Sequence, residues 1–307
     1  MISQSGMFGG AAIHATLSKG FGLSKFVAMG NQADLTAADY LAYLSSDDDT
    51  RVIGLYLEGL KEGRRFLEVA RQVSRLKPIV VLKGGRSAPG ARATLSHTAS
   101  IAGEDSIFDA VCRQAGLIRV SQLEHLFLMA EALLSQPLPG GDRIAVVGNG
   151  GQGVATVDNL AALGIDVPEF ADQDKLDLKK LLPPHAPIPR NPVDFAAGAM
   201  DTSDEVNVIE KIASLDYIDG IITNVPRESS FKSSSHAERK KEVITAADQF
   251  ARIPEKYGKP IITQKLMPSE TVVELLRQGG IPMYDTPQEC ALAMSALTRY
   301  ARIKSRP

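Results

Sequence analysis

Apolar residues recur along the chain in two alternating rhythms. Short runs rich in Ile, Val and Leu, at 52–57, 79–82, 118–120, 144–147, 220–224, 260–263 and 281–284, read as buried strands. Between them lie stretches with apolar residues at three- and four-residue intervals, which predict helices over 7–17, 36–44, 61–76, 105–115, 122–134, 154–163, 175–182, 204–215, 237–257, 270–278 and 287–301. Strands that are apolar throughout and alternate with amphipathic helices predict parallel sheets covered on both faces, an α/β fold. A Pro/Gly segment, 136–141, interrupts the alternation and the pattern then restarts, which predicts two doubly wound domains, 1–137 and 138–307. Each opens with a strand, a glycine-rich turn and a helix. The first strand is almost missing, so the chain reads as beginning in the middle of a fold.

Length and composition agree with this division. The chain has 307 residues, 44% of them hydrophobic and 23% charged, enough for roughly two cores of ~100–200 residues each. A formal net charge of -2 lacks the basic surface that non-specific nucleic-acid binding requires. Cys112 and Cys290 are far apart and form no C-x-x-C, which fits a reducing compartment and speaks against a zinc site or disulfide framework. No apolar run reaches ~18 residues and the N-terminus has no signal-peptide pattern, so a cytoplasmic protein with no membrane partner is expected.

Two turns and one histidine carry the candidate chemistry. The turns Ser3-Gln4-Ser5-Gly6 and Asn149-Gly150-Gly151-Gln152-Gly153 each precede a helix, so each offers unpaired amides and the positive end of a helix dipole to an anion. Neither is a Walker A loop or a clean G-x-G-x-x-G. Singly, each is explained by a tight strand-to-helix connection. Two in one chain, with a candidate phosphate carrier, favour phosphate binding.

That carrier is His97, between Ser96 and Thr98 in a glycine-punctuated, basic stretch, 83–103, that lacks apolar periodicity and predicts an exposed loop. A neutral imidazole attacks with one nitrogen while the other donates to an orienting acceptor. Glu58, just past the strand at 52–57, is the candidate acceptor, because sites in open α/β sheets gather at the carboxyl ends of strands. A solvated loop charge explains Glu58 about as well on spacing alone. Lys83, Arg86 and Arg92 could draw phosphate to the same stretch. The predicted phosphate-binding residues are Ser5, Gly6, Gly150, Gly151, Gly153, Ser96 and Thr98. His14, His125, His185 and His236 have no partner pattern. Asp47-Asp48-Asp49 reads as a turn and Ser233-Ser234-Ser235 as a polar loop, and no metal site is expected.

In this order, Ser3-Gln4-Ser5-Gly6, Ser24-Lys25-Phe26-Val27 with Gly30-Asn31, Leu57-Glu58-Gly59, Lys83-Gly84-Gly85-Arg86 and Ser96-His97-Thr98 resemble the histidine-bearing domain of the NDP-forming (ADP-forming) acyl-CoA synthetase family, relatives of succinyl-CoA synthetase. Asn149-Gly150-Gly151 and Asn191-Pro192-Val193-Asp194 resemble that family's companion domain. The resemblance implies two flavodoxin-like domains packed together, His97 as the phosphorylated histidine, Glu58 as its orienting carboxylate, and two helix N-termini holding the phosphoryl group. It implies a reversible cycle in which acyl-CoA and phosphate give acyl phosphate and CoA, the phosphoryl group passes to His97, and phospho-His97 phosphorylates ADP. CoA and ATP/ADP with Mg2+ would be bound mainly by a CoA-binding domain and an ATP-grasp domain or subunit outside this chain. A small acyl or carboxylate substrate and phosphate complete the partners, and a homo-oligomer is compatible with them. Ala99, where a glycine often follows S-H-T, and Gln152, in place of the usual G-G-G-P-G, depart from the family pattern. Two other readings compete: a non-catalytic regulatory or ligand-binding module, against which the retained His97 and Glu58 argue, and an FMN binder, weakened by the absence of Trp and of a Ser/Thr-rich phosphate loop.

Overall fold

A computed structural model of the chain describes residues 1–19, 21–98, 104–148, 150–196, 200–226, 236–266 and 270–306. It forms two compact units, Met1–Leu134 with Arg302–Pro307, and Ser135–Ala301. In the first unit the elements are β1 (Ile2–Ser3), α1 (Gly6–Lys19), β2 (Val27–Ala28), α2 (Ala37–Ser45), β3 (Ile53–Leu57), α3 (Gly63–Leu76), β4 (Ile79–Lys83), α4 (Ala88–Thr98), α5 (Asp105–Ala115), β5 (Ile118–Val120) and α6 (Leu123–Ser135). Its five strands are parallel in the order β2-β1-β3-β4-β5. The central strands are buried on both faces, with Ile53, Leu55, Ile79, Val80 and Val81 all inaccessible to solvent, as the uninterrupted apolar runs predict.

The second unit holds β6 (Ile144–Gly148), α7 (Gly151–Ala162), α8 (Asp172–Leu181), β7 (Val193–Asp194), α9 (Thr202–Ala213), β8 (Gly220–Asn224), α10 (His236–Tyr257), β9 (Ile261–Gln264), α11 (Glu270–Gln278) and β10 (Met283–Tyr284), and α12 (Pro287–Lys304) follows. Its order, β10-β9-β8-β6-β7, is also all parallel. Counted from the first strand of each unit, both sheets run second, first, third, fourth, fifth, which is the flavodoxin-like order, with its topological switch between the first and third strands. Among the described residues no helix is long and apolar enough to cross a membrane.

Three local expectations change. The stretch 83–103 is not one loop, because α4 occupies Ala88–Thr98. Ser87 starts it: its side-chain oxygen accepts the Gly90 amide at 3.2 Å and its carbonyl accepts the Ala91 amide at 2.8 Å. Pro89 is tolerated in a first turn, and three alanines supply helix propensity. A helix largely exposed to solvent needs no apolar stripe, so periodicity missed it. The glycine turns are themselves helical starts, with α1 beginning at Gly6 and α7 at Gly151. Strand β7 also went unpredicted, being two residues long and next to prolines. Its approach is secured by Asn191, whose Oδ1 accepts the Val146 amide at 2.9 Å while Nδ2 donates to the carbonyls of Ile144 at 3.1 Å and Pro168 at 2.9 Å. One carboxamide thus extends the ladder beside β6 where the chain itself has no strand.

Candidate functional site

The carboxyl ends of the first sheet carry Ser5 and Gly6 after β1, Glu58 after β3 and Lys83 at the end of β4. After β1, the Ser3 hydroxyl donates to the Ser5 carbonyl at 2.7 Å and its oxygen accepts the Ser5 amide at 3.1 Å. That tight turn delivers the chain into α1. The first turn of α1 contains no acidic residue, and its first amides have no intrahelical partner. Nothing lies within 4 Å of where a Gly6 side chain would begin, and Met7 is 87% exposed. This helix end is open to an anion.

Glu58 follows β3 and is only 5% exposed. A buried carboxylate is costly without partners, and the structure supplies them. Tyr56 lies two residues earlier, on the same face of the strand, and its hydroxyl donates to Glu58 Oε1 at 3.1 Å. Burial first, then the Glu58 charge and hydrogen bond, push the Tyr56 phenol up to about 12, so it remains a donor through neutral pH. Phe8 of α1 stacks on the Tyr56 ring with centroids 4.0 Å apart.

The backbone at Glu58 is held as firmly as its side chain. The amides of Glu58 and Gly59 both donate to Gln4 Oε1, the second at 3.1 Å. From the β2 side, Gln32 Nε2 donates to the Gly59 carbonyl at 2.9 Å, and Gln32 Oε1 accepts the Ala37 amide at 3.2 Å at the start of α2. Gln32 does this from φ 57°, a left-handed conformation uncommon for a residue with a side chain. Both glutamines are buried.

Strand β4 ends on Lys83, also buried. Its ammonium donates to the Gly84 carbonyl at 3.1 Å and lies 5.8 Å from the Phe108 ring centre. Burial, against the pull of Asp105 and with the push of Arg119, holds its pKa below the ordinary lysine value. Gly84 lies against the Glu58 pair: an added Cβ would sit 2.8 Å from the Tyr56 hydroxyl and 3.3 Å from Glu58 Cγ. His97 is the penultimate residue of α4. The side chains of His97 and Thr98 lie outside the described residues, whereas Ser96, Arg86 and Arg92 are exposed.

The second unit repeats the layout with different groups. Gly150 caps α7 at φ 52°, and Asn149 lies outside the described residues. A carboxylate occupies this turn: Asp194, at the end of β7, accepts the Gly150 amide at 3.2 Å and the Ala196 amide at 2.9 Å. Gly153 packs on Pro192, with an added Cβ meeting its ring at 3.4 Å. The next strand ends carry carboxamides. Asn224 closes β8 against Gly148, where a Cβ would come within 2.5 Å of its oxygen. Gln264 closes β9 and donates to Gln152 Oε1 of α7 at 3.1 Å.

Among the described residues no group of three or more His, Cys, Asp or Glu side chains could hold a metal ion. The Asp47-Asp48-Asp49 turn serves structure, with Lys25 bridging Asp47 at 2.6 Å and Asp49 at 3.4 Å. Sequence reasoning gave no role to Tyr56, Gln4, Gln32 or Asp194. The i, i+2 spacing of Tyr56 and Glu58 was the available signal for the first; the others emerge only from the pairing of strands.

A family model described as the succinyl-CoA ligase like flavodoxin domain matches residues 1–133. The alpha subunit of an ADP-forming acetate–CoA ligase II of Pyrococcus furiosus is 36% identical over 306 residues, covering 98% of this chain and 65% of that protein. The alpha subunit of the ADP-forming acetate–CoA ligase I of the same organism is 33% identical, covering 100% of this chain and 64% of its own length. Among solved structures, an acetyl-coenzyme A synthetase 1 of Ca. Korarchaeum cryptofilum in complex with phosphate and ADP superposes with a TM-score of 0.86 at 33% identity, covering 99% of this chain and 64% of that one. The chain therefore spans slightly under two thirds of the length of these relatives. Sheet order, strand-end residues and these similarities together place it: the chain belongs to the NDP-forming acyl-CoA synthetase family, matching part of its alpha subunit.

Proposed function

We propose that this chain is the phosphohistidine-bearing part of an ADP-forming acyl-CoA synthetase, an acid–thiol ligase. Phosphate attacks the acyl-CoA thioester and expels CoA, giving an acyl phosphate. A ring nitrogen of His97 then attacks phosphorus, the acyl group leaves as its carboxylate, and the second ring nitrogen gives its proton's hydrogen bond to Glu58. Phospho-His97 passes the phosphoryl group to ADP, which regenerates the imidazole and yields ATP. Every step reverses in the direction of thioester synthesis. The open end of α1 is proposed to stabilise the transferring phosphoryl charge through amides fixed in advance, that of Gly6 among them, with the Ser5 hydroxyl beside them. Gly150, Gly151 and Gly153 at the start of α7, and Ser96 and Thr98 beside the histidine, are proposed as further phosphate contacts.

The observation that carries this reading is Glu58, a buried carboxylate at the carboxyl edge of a flavodoxin-order sheet, with a phenol hydrogen-bonded to its oxygen, Gln4 accepting its amide and Gln32 holding the carbonyl of the next residue, Gly59. Such a group is costly to maintain as packing alone. CoA, and ATP/ADP with its Mg2+, are proposed to bind on a CoA-binding domain and an ATP-grasp domain or subunit that complement this chain. The test is to incubate the chain, assembled with those parts, with ATP labelled at its γ-phosphate. Acid-labile label on this chain that is absent from His97→Ala supports the proposal, and label that persists in that variant overturns it.

A further inference from the structure

Tyr56 has no place in the proposed cycle, yet its hydroxyl donates to Glu58 Oε1 at 3.1 Å. It could be a core tyrosine that satisfies its hydroxyl on the nearest acceptor, as buried tyrosines do. Three features argue for more. Its hydroxyl donates to a carboxylate, a charge-assisted bond that fixes one of its two oxygens. The residue facing the pair is a glycine, and any side chain there would reach within 2.8 Å of the phenol oxygen. Gly84 is not at positive φ, so the space, rather than the backbone, accounts for it. Finally, the Tyr56 ring is stacked at 18° on Phe8, in the first turn of α1, so the phenol is clamped between the helix end proposed for phosphate and the carboxylate proposed for the histidine.

We infer that Tyr56 is a positioning residue for the phosphohistidine step: its phenol pins Glu58 Oε1 so that the other carboxylate oxygen is presented to the imidazole, and Gly84 keeps the space in which the pair forms. This rests on the phosphohistidine reading above. Because the phenol's hydrogen bond is to Glu58, its removal is expected to act on turnover through Glu58. Substrate binding is untouched.

The experiment is a double-mutant cycle in the assembled enzyme with Tyr56→Phe, Glu58→Gln and both together. Tyr56→Phe keeps the ring and its stacking and is expected to lower kcat about ten- to a hundredfold, with KM for acyl-CoA and ADP within about twofold. In the Glu58→Gln background it should cost nothing further. Unchanged kcat, a rise in KM instead, or losses that multiply in the double variant would each overturn the inference. Gly84→Ala provides a second variant: it should reduce kcat by itself but add little to Tyr56→Phe, which lacks the oxygen the new methyl meets, and a full additional loss speaks against the inference. A readout that needs no activity separates the two proposals. The 13Cζ resonance of Tyr56 should move on Glu58→Gln in the folded protein; a fixed resonance refutes the pairing even if His97 is phosphorylated, and a moving one upholds the pairing even if it is not.

Discussion

The two sheets share one strand order but end in different chemistry. In the first, Glu58 follows the third strand and Lys83 closes the fourth, both buried. In the second, Asn224 closes the third strand and Gln264 the fourth, also buried. The first edge is charged; Asn224 and Gln264 give the second carboxamides. Carboxamides satisfy neighbours without titrating, so Asn224 and Gln264 can orient and bind but cannot exchange protons near neutral pH. The helix ends differ in the opposite sense: α1 has no carboxylate in its first turn, whereas the turn before α7 holds Asp194 on its Gly150 amide. One scaffold has thus been used twice with different groups at its strand ends, as expected where function resides in side chains rather than in topology.

This contrast can be broken in three ways. The largest expected effect is at the third-strand ends: Glu58→Gln should slow His97 phosphorylation by about 10²- to 10⁴-fold, whereas Asn224→Ala should cost no more than about tenfold, both followed by rapid-quench labelling. Similar losses from the two would remove the distinction. A smaller effect is expected at α7. Asp194→Asn keeps an acceptor for the Gly150 amide and removes the negative charge from the helix start, so phosphate should bind about two- to fivefold more tightly, measured as its KM in the acyl-CoA cleavage direction. Weaker binding would show that this carboxylate builds the turn rather than opposing the anion.

The smallest effect concerns stability of the second unit alone. Burial pushes Asp219 up, but the Arg143 side chain at 2.8 Å and backbone amide at 3.0 Å outweigh it and hold the carboxyl below its usual range. A carboxyl lowered in the folded state stabilises at pH above the unfolded value near ~4 and loses that contribution as pH falls through its folded value. Asp219→Asn should therefore lower the Tm of this unit by about 2–4 °C at pH 7, a modest figure because solvent screens the half-exposed Arg143. The difference between the two proteins should shrink as the pH drops below about 4. A constant difference by calorimetry would assign the effect to packing.

Much of the fold was readable from the rhythm of apolar residues, because central parallel strands such as 79–82 are apolar at every position and their helices show one apolar face. What periodicity missed was structure held by polar side chains. Helix α4 is largely solvent-exposed and starts on Ser87, and β7 is two residues placed by the Asn191 carboxamide. Glu58 could be proposed from its place after a strand. Its partners Gln4 and Gln32 lie 54 and 27 residues from the groups they bind, and only the order of strands brings them together. Asp194 was visible within a motif, but its carboxylate can be seen to cap the turn before α7 only once β7 is paired with β6.

The central claim is that the phosphoryl group is carried on the first unit, by His97. Its most direct test is to trap the assembled enzyme with acyl-CoA and phosphate in the absence of ADP, digest it under mildly alkaline conditions and locate the phosphoryl group by electron-transfer mass spectrometry. One acid-labile phosphorylated residue, His97, is expected, occupied in the wild type and strongly depleted in Glu58→Gln. A phosphoryl group on any residue of the second unit, or an unchanged yield at His97 in the Glu58→Gln protein, would contradict it.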